Sequence, residues 1–79
     1  MSALLRLPHV MERTGLSRAS VYLYVHKRVL TPPVKIGERS AAWPETEIDA
    51  INAARIAGKP ELEIQALVQE LLHLRTAAN

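Results

Sequence analysis

Thr14-Gly15-Leu16-Ser17-Arg18-Ala19-Ser20-Val21-Tyr22-Leu23-Tyr24-Val25-His26-Lys27 is the stretch whose reading decides the fold of this 79-residue chain. Gly15 is the residue type that most readily takes the left-handed conformation past a helix end, so it stops the helix before it. Ser17 is a good N-cap, because its hydroxyl accepts a hydrogen bond from a free amide of the next turn. Leu16 and Val21 fall at the positions on either side of that cap that staple the incoming chain to the new helix. A helix ending at Thr14 and a second running from Ser17 to about Lys27 leave a connection of about three residues containing glycine. That is the spacing of a helix-turn-helix.

Working outward, Pro8 suits the first turn of the upstream helix, where a missing N–H has no partner to lose, and Leu7, Val10 and Met11 supply its apolar side. Downstream, Pro32-Pro33 prevents the second helix from continuing. Val34-Lys35-Ile36 and Ala41-Ala42-Trp43 are short strand-like runs around Gly37-Glu38-Arg39-Ser40 and read as a hairpin. An isolated hairpin is marginal, so Val34, Ile36 and Trp43 are expected to pack inward on the helices. A third helix starts near Pro44, with Glu45 and Glu47 in its first turn, where the dipole favours them. It carries Ile48, Ile51 and Ala54 or Arg55 at helical spacing and ends at Gly58, before Lys59-Pro60.

Residues 61–77 read as a fourth helix bearing Leu62, Ile64, Leu67, Val68, Leu71, Leu72 and Leu74. Ile64, Leu67, Leu71 and Leu74 are spaced as an a/d seam, which Val68 and Leu72 widen. Two readings stand: the helix folds back on a small core, or Ile64, Leu67, Val68, Leu71 and Leu74 form a dimer or partner face. The expected fold is mainly α with a small β-hairpin. A winged helix-turn-helix spans residues 1–58, and residues 59–79 add a C-terminal amphipathic helix, core-packing or dimerising.

Composition narrows the function. With no cysteine, disulfide scaffolds, thiolate metal sites and thiol nucleophiles are all excluded. His9, His26 and His73 are too scattered for a metal site. No nucleophile–base pairing or phosphate-binding glycine loop occurs, so the chain does not read as an enzyme, and neither a cofactor nor a small-molecule substrate is expected. No apolar run reaches membrane-spanning length and Met1 to Arg6 lack the apolar stretch of a signal peptide, so the expected place is the cytoplasm, away from membranes. The net charge of +2 hides an asymmetry: residues 1–43 hold seven cations against two acids, whereas residues 44–79 hold three against six. A basic half joined to an acidic half suggests one face meant for a polyanion.

With Val21, Tyr24 and Val25 on the buried face of the second helix, Ala19, Tyr22, Leu23, His26 and Lys27 face outward and Arg18 flanks them. In a helix-turn-helix this helix enters the major groove of double-stranded DNA. Arg18 then suits guanine or a phosphate, Ala19 a thymine methyl, and Tyr22 and His26 base edges or phosphates. Leu23 either meets a thymine methyl or packs under the wing. Arg13, Lys27, Arg28, Lys35 and Arg39 are candidate phosphate contacts, the last two on a wing lying along the backbone or in the minor groove. The rival reading is a protein-interaction module, whose apolar face over residues 61–77 binds an integrase or the transcription machinery.

The ordered set Leu4-Leu5-Arg6-Leu7-Pro8, Thr14-Gly15-Leu16-Ser17-Arg18, Val21-Tyr22, Pro33-Val34-Lys35-Ile36-Gly37, Ala42-Trp43 and Glu47-Ile48-Asp49-Ala50 resembles the AlpA family of prophage regulators over about residues 4–57. The resemblance implies a MerR-like winged fold similar to that of excisionases. It also implies a bacterial or phage protein on the nucleoid that controls transcription on a mobile element, or directs its excision beside an integrase. The chain departs from that pattern at Leu23, where a basic residue is frequent, and in Lys27-Arg28-Val29-Leu30-Thr31-Pro32, which lacks the glycine usual after the second helix.

Overall fold

In the computed structural model, which describes residues 3–77, the helix pair read from the sequence is present. Helix α1 spans Leu7–Thr14 and α2 spans Arg18–His26. Gly15 takes a left-handed φ of 74°, and its amide closes α1 onto the Met11 carbonyl. The hydroxyl of Ser17 accepts from the Ser20 amide at 3.2 Å, so the cap forms as the sequence requires.

Three short strands follow from the flanking segments: β1 (Leu4–Leu5), β2 (Val34–Lys35) and β3 (Ala41–Pro44) form one antiparallel sheet in the order β1-β3-β2. The hairpin is in the expected register, with Val34 opposite Ala42 and Lys35 opposite Ala41. The N-terminal strand is additional to the sequence reading. Leu5 pairs with Trp43, and the Ala3 carbonyl accepts from the Glu45 amide at 2.8 Å, satisfying one free amide at the start of the next helix.

Helix α3 spans Glu45–Ile56 and α4 spans Glu61–Ala77, separated by a turn in which Gly58 has φ 77°. Val10, Val21, Leu30, Trp43, Ile48, Ile51 and Val68 meet in a single core. One expectation is corrected here. Ile36 is 45% exposed, because the hairpin beyond Lys35 projects past the helices and is held chiefly by β3. Ile64 and Val68 are buried within their own chain, with Leu67 and Leu71 packed half-buried against the core. Of that seam only Leu74 is largely exposed.

An ion pair adds to this packing near the end of α4. Glu47, in the first turn of α3, is buried, and Arg75 reaches it with two hydrogen bonds of 2.8 and 2.6 Å. The same guanidinium donates to the Pro32 carbonyl at 2.8 Å. Glu47 therefore serves a buried pair as well as the helix dipole. Removing one partner of such a pair leaves a buried charge uncompensated. Arg75→Ala is expected to lower stability by about 3 kcal/mol, read as a shift of the urea midpoint, whereas replacing Glu47 and Arg75 together by leucine should recover most of the loss.

Thr31 presents the opposite case. It is fully buried and its hydroxyl has no hydrogen-bond partner among the described residues, although its carbonyl accepts from the Trp43 indole at 2.7 Å. Thr31→Val keeps the shape and removes the unpaired group, so thermal unfolding should show a gain of about 1 kcal/mol.

Candidate nucleic-acid interface

The outward face of α2 is built as its periodicity requires. Arg18, Ala19, Tyr22, Leu23, His26 and Lys27 are all exposed, while Val21 is buried and Tyr24 and Val25 lie half-buried against the core. Leu23, 52% exposed, stays on the open face and does not line the space beside the hairpin. Lys35 and Arg39 are exposed on the strand and tip of the hairpin.

The cations divide by their partners. Arg13 is taken up by α3, at 2.9 Å from Glu45 and 3.7 Å from Asp49, and its carbonyl accepts from Asn52. Lys27 lies 3.3 Å from Glu61 of α4. Both are thus less available to a polyanion than the sequence reading has them. In contrast, Arg6, Arg18, Arg28, Lys35 and Arg39 form no ion pair among the described residues. Three of these, Arg6, Arg18 and Arg39, line one cleft together with Tyr22. Arg6 was not singled out from the sequence. Its isolated position before Pro8 carries no periodicity, and only β1 brings it beside the hairpin.

Arg28 stands at the other end of α2, near Leu30, Pro32 and Leu72. It has a left-handed φ of 64°, among the described residues the one non-glycine with positive φ. Its amide donates to the Val25 carbonyl, and the Val29 amide donates to that of Tyr24. These two bonds make a Schellman motif with arginine at the position glycine usually fills. The turn therefore has the shape a glycine would give, despite the missing glycine.

The segment after α2 is held by side chains from later elements. Gln65 donates to the Lys27 carbonyl at 2.9 Å, Arg55 to Val29 at 3.2 Å, Trp43 to Thr31 and Arg75 to Pro32. The Arg55 guanidinium also lies 4.7 Å from the centre of the Tyr24 ring, a cation–π contact that braces the inner face of α2. Helix and hairpin are thereby fixed relative to one another. Among the described residues, no group of three or more acids and histidines is placed to hold a metal ion, and no helix is long and apolar enough to cross a membrane.

A family model described as prophage CP4-57 regulatory protein (AlpA) matches residues 3–56, from β1 to the last residue of α3. The chain belongs to the AlpA family. A relative, the uncharacterized protein ORF88 of Enterobacteria phage P4, is 42% identical over 55 residues, covering 70% of this chain and 62% of that protein. The chain thus spans less than two thirds of the phage relative's length. No solved structure matches it. The AlpA family is one of regulators and not of enzymes. Helix α4, with Gln65 and Arg75, lies outside the AlpA match.

A left-handed non-glycine residue costs about 1 kcal/mol. Arg28→Gly should therefore raise stability by about that amount in urea denaturation, while Arg28→Ala, which keeps the Cβ, should not.

Proposed function

We propose that this chain is a sequence-specific double-stranded DNA-binding regulator of a prophage or other mobile element. In this reading it is a winged helix-turn-helix: α2 enters the major groove and the β2–β3 hairpin is the wing along the backbone. It acts either on transcription or, beside an integrase, as an excisionase, two roles served by the same surface.

The observation that carries the reading is the sorting of charge by partner. The cations on α3 and α4, together with Arg13 and Lys27, face carboxylates or carbonyls of their own chain. Those at the start of α2, before α1 and on the hairpin have no such carboxylate among the described residues, and they flank an exposed helix face of Ala19, Tyr22, Leu23 and His26. A helix with so few polar groups outward draws much of its affinity from phosphate contacts. Its specificity comes from Arg18, from apolar contact with thymine methyls and from DNA shape. The buried seam of α4 favours one copy per half-site over a dimer preformed through that helix.

Fluorescence anisotropy with a random duplex should show binding whose log affinity falls against log salt with a slope of about −3 to −5, as expected for the unpaired cations. Absence of binding, or a flat salt response, overturns the proposal. On duplexes selected from a random pool, Arg18→Ala should relax preference at one position at a cost of about 1–3 kcal/mol. A loss uniform across sequences would leave Arg18 with a phosphate contact alone.

A further inference from the structure

The cleft between the start of α1, the start of α2 and the hairpin has features that helix reading alone does not use. Its volume is about 430 Å³, more than ten times the share of one liquid water molecule, roughly 30 Å³, so it is an open recess and not a packing defect. Arg6, Arg18 and Arg39 reach it from three separate elements, and no acidic residue lines it. Arg6 is the N-cap of α1 and Arg18 the first residue of α2, so two helix N-termini meet at its rim. Neither helix has an acidic residue in its first turn. Like charges from three elements are brought together with no counter-charge among the described residues, an arrangement that an anion stabilises. The phenol of Tyr22 adds a neutral donor of the kind that contacts phosphate oxygens.

We infer that this cleft is a phosphate-binding site in which Arg6, Arg18 and Arg39 jointly hold one backbone phosphodiester of the bound duplex. The inference rests on the DNA-binding reading above and adds to it a single-phosphate anchor. Arg6 joins the binding residues, and Arg18 is directed to the backbone at least in part. Gripping one phosphate from helix and hairpin at once fixes how α2 sits along the groove. The same chemistry could be met by a free phosphomonoester, and the experiment separates the two sources.

The duplex recovered by selection from a random pool is resynthesised with one neutral methylphosphonate at a time and titrated with the wild-type protein and with Arg6→Ala. For the wild type, one backbone position should stand out with a loss of about tenfold, the magnitude of one hydrogen-bonded charge contact. Arg6→Ala should bind the unmodified duplex about tenfold more weakly, lose about one unit of salt slope and keep its sequence preference. The methylphosphonate that hurts the wild type should cost Arg6→Ala less, because only Arg18 and Arg39 remain to hold that phosphate. Its melting temperature should not change, because Arg6 is exposed, and Arg6→Lys should restore part of the affinity.

Binding in which every methylphosphonate costs Arg6→Ala as much as it costs the wild type overturns the cleft assignment and leaves DNA binding standing. A raised melting temperature with millimolar AMP, together with a flat methylphosphonate scan, would make the cleft a nucleotide pocket and overturn the inference in that way. No binding of any duplex overturns the reading and the inference together.

Discussion

Four carbonyl groups between Lys27 and Pro32 each accept a hydrogen bond from a side chain that arrives later in the sequence, and the arrangement of the interface depends on them. Gln65, Arg55, Trp43 and Arg75 are the donors. A connector with two prolines after it makes few backbone hydrogen bonds of its own, so its carbonyls need other partners where they are buried. Providing these from β3, α3 and α4 turns a loop into a fixed joint. The angle between α2 and the hairpin is then set by the body of the protein and not by the loop.

Charge follows the same logic. Read as a list of residues, the chain divides into a basic first half and an acidic second half; read in space, it divides into cations with a carboxylate and cations without one. Arg13 and Lys27 belong by sequence to the basic half and by contact to the acidic one. Exposed pairs of this kind add little stability. Their effect is to take positive charge off the flanks of the domain and leave it concentrated around α2 and the hairpin.

Local signals in the sequence were strong where one residue does one job. Gly15, Ser17 and the apolar spacing of α3 and α4 all led to the elements observed. The outward face of α2 was legible for the same reason, since helical spacing alone sorts Tyr22 and Leu23 from Val21. What could not be read there depends on pairing across the chain. β1 is two residues long and shows no alternation, so its place beside β3 follows only from the fold, and with it the position of Arg6. Glu47 looked like an ordinary first-turn acid until Arg75, 28 residues on, was seen beside it. Arg28 shows the converse, where the residue type argued against a conformation that the surrounding contacts impose.

The Glu47–Arg75 pair also has a consequence for the order in which the molecule can assemble. Chains are made from the N-terminus onward. Helices α1 to α3 and the sheet all precede α4, yet a buried Glu47 has no counter-ion, and the Pro32 carbonyl lacks its arginine donor, until the last turn of α4 has been made. The elements that carry the outward face of α2 and the hairpin are therefore made before the residue that locks them. A chain ending before Arg75 lacks the donor that Glu47 and the Pro32 carbonyl share, and the segment after α2 then has one tie fewer to the body of the protein.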